Sequence, residues 1–169
     1  IGDPSSWRLS KEMGGGGAIM DLGVYPIHSC RHALGEEPLW VRAQGFVRDT
    51  SRFQDIYETI LFQFEFPSGV VANCKPSYSS YVDRLHVSAY EGGYGLQPCH
   101  GGRGTSGYRM NEPMNLPKLN QQANHMDDFC ESIVNGKSII ASGEEGLKDM
   151  IIVDAIKLSA DQGGKRIEL

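Results

Sequence analysis

The 169-residue chain reads as an α+β fold, an open and mainly antiparallel β-sheet with helices packed on one face. Three observations predict it. Apolar residues recur at helical spacing toward both ends of the chain, while the middle alternates with a period of two. The FPSGV stretch at 66–70 reads as a hairpin turn that pairs the following segment back antiparallel. The order helix, strands, two helices, strand matches helices gathered on one sheet face.

Residues 1–13 are polar and turn-rich, with Trp7 and Arg8 as the bulky features. The run GGGGAIMDLGVYPIHSCRHALGEEP follows from Gly14. Met20, Val24, Ile27, Cys30 and Leu34 predict a helix near 18–34, and Gly35 supplies its stop. Asp21, Tyr25, His28 and His32 recur at +4, +3 and +4, one stripe beside the apolar one. Pro26 costs a backbone hydrogen bond unless it lies in a first turn, so the regular helix starts near Gly23 or is kinked there.

From Pro38 the period changes. Val41, Ala43 and Phe46 lie in one β-like run, and Ile60, Phe62, Phe64 and Phe66 alternate with Leu61, Gln63 and Glu65. Pro67 and Gly69 predict a hairpin, with 70–80 pairing back. Leu85, Val87 and Ala89 mark the next strand, glycine clusters at 92–95 and 101–107 read as loops, and SGYRMNE reads as a further short strand. All strands between 38 and 111 are expected in one sheet. Met126, Phe129, Cys130 and Ile133 predict a helix near 121–135. Ser142 with Glu145 forms a capping box for a helix near 143–162, its apolar stripe Leu147, Ile151, Ala155 and Leu158. KRIEL alternates like a last strand.

A net charge of −5 with scattered basic residues argues against nucleic-acid or anionic-membrane surfaces. No apolar run reaches membrane-spanning length, and the start resembles no signal peptide. Cys30, Cys74, Cys99 and Cys130 are far apart with no C-x-x-C, so no metal is expected and the thiols read as idle in a reducing compartment.

The chemistry-bearing residues each have two readings. Tyr25 is a proton donor only if a cation lies beside it, because a phenol titrates near 10; otherwise it is an amphipathic packing residue. Asp21 is a site carboxylate or a helix N-cap. His28 and His32 have ligand spacing but no third ligand. The four adjacent glycines at 14–17 follow a polar turn and not a strand, and they lack the G-x-G-x-x-G spacing of a dinucleotide fingerprint. The glycine-rich loop around His100 and Arg103 is an anion site or a surface loop.

Taken together, WRL, GGGGAIMDLGVYPIHSCRHALGEEP, FQFEFPSGVV and GEEGLKDMIIVDAIKLSADQGGKRIEL resemble the C-terminal domain of the Gfo/Idh/MocA oxidoreductases. The likeness is to the branch with glucose–fructose oxidoreductase, dihydrodiol dehydrogenase and NADP-dependent xylose dehydrogenase. The most specific part is G-G-G-x-x-x-D-x-G-x-Y at Gly15, Gly16, Gly17, Asp21, Gly23 and Tyr25. The resemblance implies that residues 1–169 are one substrate-binding and oligomerisation domain of a larger two-domain enzyme whose Rossmann domain binds NAD or NADP.

It further implies Tyr25 and Asp21 as catalytic residues, His28 and Arg8 as substrate contacts, and Gly15, Gly16 and Gly17 beside the cofactor. A lysine of an E-K-P motif, absent from this chain, would pair with Tyr25 and lower its pKa. His28 stands where relatives carry Asn or Gln. The implied substrate is a sugar or cyclic diol, and the implied partner is a second copy, in a homo-dimer or tetramer through the open sheet face. The parent is expected in the cytoplasm, and the chain alone is expected to be inactive and to hold no cofactor. Two alternatives stay open: a non-enzymatic sugar-sensing regulator or scaffold, and an NAD-dependent glycosidase.

Overall fold

The computed structural model describes residues 3–100 and 104–169, so Arg103 of the glycine-rich loop lies outside the described residues. Contacts divide the chain into two compact units, residues 1–82 with 147–169, and residues 83–146.

In the first unit a short 3-10 turn at Trp7–Leu9 leads into a one-turn helix, α1 (Lys11–Gly14). A π-helical turn at Ile19–Gly23 then runs into α2 (Val24–Leu34), which ends on Gly35 in the left-handed conformation. The wide turn sits where Pro26 needs it. A proline ring clashes with the carbonyl four residues earlier, here Leu22, and the π turn moves that carbonyl away.

Strands β1 (Trp40–Phe46), β2 (Thr59–Glu65) and β3 (Val71–Cys74) form an antiparallel meander, and β8 (Ile167–Glu168) joins the free side of β1 in the order β3-β2-β1-β8. The hairpin closes at Gly69, whose φ is 79°. The register sets Val41 against Phe64 and Ala43 against Phe62, with Cys74 beyond. The period of two therefore puts Ile60, Phe62, Phe64, Val41 and Ala43 on one face. That face meets Ile19, Ile27, Ile152, Val153 and Ile156 in a single core, so α2 and the helix that carries Ile152 to Ile156 lie on one side of the sheet. The opposite face carries Arg42, Gln44, Leu61, Gln63 and Asn73, around a shallow depression of about 440 Å³.

The last helix, α4 (Gly143–Asp161), begins as the capping box predicts, with the Glu145 N–H donating to Ser142 Oγ at 3.3 Å. Its buried face differs from the expected stripe. Leu147, Ile151 and Leu158 are exposed, while Asp149, Ile152, Val153, Ile156 and Ser159 face inward with Ala155. Apolar and charged residues are interleaved on every side of the helix, so periodicity could not select the face. Two polar anchors do: Asp149, described below, and Ser159. The Ser159 hydroxyl accepts from the Ala43 N–H at 2.9 Å and donates to the Lys165 carbonyl, completing the edge of β1 beyond the end of β8. Cys30 and Cys74, read as unrelated thiols, bring their Sγ atoms to 3.9 Å between α2 and β3.

The second unit holds its own antiparallel sheet, β4 (Leu85–Ala89), β5 (Gly92–Leu96), β6 (Gly107–Arg109) and β7 (Glu112–Met114), in chain order. The expected single sheet is thus two. The 92–95 glycines are a strand and not a loop. A Cβ at Gly95 would fall 2.6 Å from the Tyr108 hydroxyl, because Tyr108 and His86 stack across that position and hydrogen-bond at 2.8 Å. Rings on the neighbouring strands fill the space that the glycines leave.

Helix α3 (Gln121–Asn135) has the expected bounds, but none of its residues is buried. Met126, Phe129 and Ile133 stand in solvent instead of packing on a sheet. This unit's strands are short and rich in glycine, and they offer no apolar face comparable to that of β2.

Phe64 is fully buried and touches the Phe62 and Phe66 rings at 5.1 and 6.1 Å. Phe64→Ala is expected to cost about 3–5 kcal/mol, and Leu61→Ala on the open face about 0.5 kcal/mol or less, by denaturant unfolding. A loss at Phe64 no larger than at Leu61 would contradict the assignment of the core face.

Candidate functional site

The glycine run is first a backbone device. Gly15, Gly16 and Gly17 have φ of 75°, 138° and 75°, values that side-chain-bearing residues rarely adopt. At Gly17 a Cβ would also meet Ile56 at 2.9 Å, since Gly17 forms a parallel bridge with Tyr57. The chain thereby turns tightly against the segment 56–57 and delivers Asp21 at the start of the helical stripe.

Asp21 is not an N-cap. It lies inside the π turn, with its own N–H donating to the Gly17 carbonyl. Its carboxylate accepts from Arg8 Nε at 3.3 Å, and the Arg8 guanidinium lies 4.4 Å over the Trp7 ring. Arg8, expected as a substrate contact, pairs here with Asp21, both side chains partly exposed.

Tyr78, which no sequence signal marked, also borders this carboxylate. Its ring stacks on Phe53 at 6.1 Å, and its hydroxyl is buried without a hydrogen-bond partner. Burial first, and the Asp21 charge second, push its pKa well above the ordinary phenol value, so Tyr78 stays protonated beside Asp21. It lies 57 residues from Asp21 in a loop without periodicity, so only folding could reveal it.

Tyr25, His28 and His32 continue the stripe on the solvent side of α2, beside the buried Ile27 and Arg31. Tyr25 is half exposed, and the His28 and His32 rings stack at 6.1 Å. Beneath them, Arg31 is buried and held by two carboxylates. It donates to Asp149 Oδ1 at 2.6 Å and, through Nε and Nη2, to both oxygens of Glu37 at 2.6 and 2.8 Å. Asp149 Oδ2 lies 3.2 Å from His28 Nδ1, and Lys148 lies 3.2 Å from Glu37. The sequence reading did not use Arg31, Glu37 or Asp149.

The glycine-rich loop near His100 carries its own carboxylate, since Asp83 Oδ1 accepts from the Cys99 and His100 N–H groups at 2.8 and 2.7 Å. Among the described residues no three His, Cys, Asp or Glu side chains come together as a metal site, and no helix is long and apolar enough to cross a membrane.

A partly exposed carboxylate paired with a cation and an exposed tyrosine one turn along form a polar surface suited to hydroxyl groups, with the Tyr78 hydroxyl buried beneath it. The family profile described as the GFO/IDH/MocA C-terminal domain matches residues 2–94. The chain belongs to the GFO/IDH/MocA family. Its fold is that of the family's C-terminal domain, as the crystal structure of an aldose-aldose oxidoreductase from Caulobacter crescentus complexed with glycerol makes plain. The two share 35% identity and a TM-score of 0.90 over 100% of this chain and 52% of that one.

A D-xylose 1-dehydrogenase [NADP(+)] from Haloarcula marismortui is 27% identical over 164 residues, 92% of this chain and 45% of that protein. An inositol 2-dehydrogenase from Rhizobium meliloti is 23% identical and matches 90% of this chain and 50% of its own length. The chain spans about half the length of the curated relatives it matches.

The hydrogen bonds from Arg31 first, and the nearby Lys148, hold the Glu37 carboxyl down at about 2, against an ordinary value of 4.5. The unfolded chain therefore takes up this proton at higher pH than the folded one. The contribution is complete above about pH 4.5 and is lost as pH falls toward about 2. Because Glu37 is half exposed, solvent screening keeps the effect small. The melting-temperature gap between the parent and Glu37→Gln should be widest near neutral pH and close progressively below about pH 4. A gap that does not change with pH would contradict the pairing.

Proposed function

We propose that this chain is the substrate side of an NAD(P)-dependent oxidoreductase acting on a sugar or cyclic polyol. What carries the reading is the pairing of family membership with one arrangement, Asp21 directed by Arg8 at the head of the stripe that bears Tyr25. A scaffold has no need of an oriented, partly exposed carboxylate. The relatives named for D-xylose, inositol and aldoses support the substrate class.

In this reading Asp21 accepts a hydrogen bond from a substrate hydroxyl, and its fixed direction selects which hydroxyl lies next to Tyr25. Tyr25 gives or takes the proton on the reacting oxygen. The nicotinamide cofactor, when bound, supplies hydride transfer at the carbon. Gly15, Gly16 and Gly17 carry no side chains, which would let this backbone approach a nicotinamide ring, while the G-x-G-x-x-G spacing at 102–107 leads into strand β6 and not into the helix that a pyrophosphate loop needs. On that basis the chain by itself turns over no substrate. A homo-oligomer through the open face of the first sheet, around Arg42, Gln44, Leu61 and Gln63, belongs to the same proposal.

The test is Tyr25→Phe in the full-length protein. Loss of a positioned proton donor lowers turnover by about 10²–10⁴, while the ring keeps its packing and the melting temperature stays at the parent value. Steady-state kinetics with D-xylose and myo-inositol, each with NAD and NADP, decides the matter. Turnover within about threefold of the parent, well short of that range, would remove Tyr25 from the chemistry.

A further inference from the structure

Asp149 is a carboxylate in the interior, at 8% exposure, with two neighbours and two oxygens. Oδ1 accepts from Arg31 Nη1 at 2.6 Å, which neutralises the charge and fixes the plane of the carboxylate. Arg31 cannot rotate away, because Glu37 holds its Nε and Nη2 in a bidentate fork at 2.6 and 2.8 Å. Oδ2 is therefore pinned, and it points at His28 Nδ1 at 3.2 Å. A carboxylate paired with a guanidinium can only accept, so the proton of this hydrogen bond belongs to His28 Nδ1. A neutral imidazole with its proton on Nδ1 has its lone pair on Nε2.

We propose that Asp149 is the positioning residue for His28: clamped by Arg31, it fixes the imidazole in the Nδ1–H form, so that Nε2 is a standing acceptor for a substrate hydroxyl. This rests on the reading that the Asp21–Tyr25–His28 stripe faces a polyol. The ring is well placed for the task. It is half exposed on the solvent side of α2, one turn beyond Tyr25, and it stacks on His32, which resists rotation about its last torsion. An Asn or Gln at this position offers the hydroxyl both a donor and an acceptor, and its amide can turn. A histidine held by Asp149 offers only the acceptor, so the site would require a donor hydroxyl there.

Asp149→Asn is the informative variant because it reverses the hydrogen bond without changing shape. Its single carbonyl oxygen goes to Arg31, the charged donor, and its NH₂ then faces His28 Nδ1. The imidazole must answer with a lone pair on Nδ1 and its proton on Nε2, turning the acceptor into a donor. Long-range ¹H–¹⁵N spectra of the full-length protein with ¹⁵N-labelled histidine, above the ordinary imidazole pKa of about 6.5, read the tautomer directly. The His28 signals are identified by their loss in His28→Asn.

The parent should show Nδ1–H and Asp149→Asn should show Nε2–H. With D-xylose and myo-inositol as probes, Asp149→Asn should lower kcat/KM roughly 5- to 10-fold, as for one lost hydrogen bond, and should add nothing in the His28→Asn background. An Nε2–H tautomer or a doubly protonated ring in the parent overturns the proposal, whether or not Asp149→Asn is stable enough to study. An equal kinetic loss in both backgrounds overturns it too, because Asp149 would then act through the fold and not through His28. If the tautomers are as stated but His28→Asn leaves kcat/KM at the parent value, Asp149 stands as the residue that sets His28, and it is the course of the substrate along the stripe that fails.

Discussion

A guanidinium cannot be taken out of water alone, and Arg31 is 4% exposed. Its N–H donors must meet acceptors, or the buried charge costs several kcal/mol. Glu37, just past the end of α2, and Asp149, on α4, take a hydrogen bond from each of its three nitrogens. That requirement ties the two helices together at one point and one rotation. It also decides which side of α4 turns inward, since Asp149 must reach Arg31 and Ser159 must reach the Ala43 amide at the same time. With α4 so oriented, the sheet face built from Phe62, Phe64 and Val41 is closed by Ile152, Val153 and Ile156.

The same constraint orders the surface above it. α2 is amphipathic, with Ile27 and Arg31 below and Tyr25, His28 and His32 above. Holding Arg31 from beneath therefore holds the exposed stripe from rolling. At the other end, the left-handed glycines and the π turn set where the stripe begins. Asp21 leaves that wide turn toward Arg8 and the protonated Tyr78. The polar groups of the candidate site thus stand on a helix braced at both ends, as a precisely held binding site requires.

Much of the secondary structure was legible from local chemistry. The period of two in β2, the hairpin at Gly69 and the cap at Ser142 each depend on a few adjacent residues, and each forms as expected. The readings that changed depend on neighbours distant in sequence. Gly92–Leu96 looks like a loop until Tyr108 and His86 cover its glycines. The buried face of α4 is ambiguous in a helix whose apolar and charged residues are interleaved on every side. The helix at Gln121–Asn135 has a clear apolar stripe, yet a stripe announces only a preference for burial, and no surface of this unit takes it up.

The sequence by itself determined the fold class, the three long helices and most strands, and the stripe carrying Asp21, Tyr25 and His28, because spacing along a helix or strand is a local geometric fact. It also carried the glycine and Asp–Tyr pattern that resembles the family. Only the tertiary structure decided what each of those side chains touches. Arg8 meets Asp21 across 13 residues, and Tyr78 joins them from a separate loop. Asp149 reaches His28 across 121 residues, and Arg31 across 118. No periodicity records such contacts, because they arise when a buried charge must find its partners wherever the chain happens to bring them.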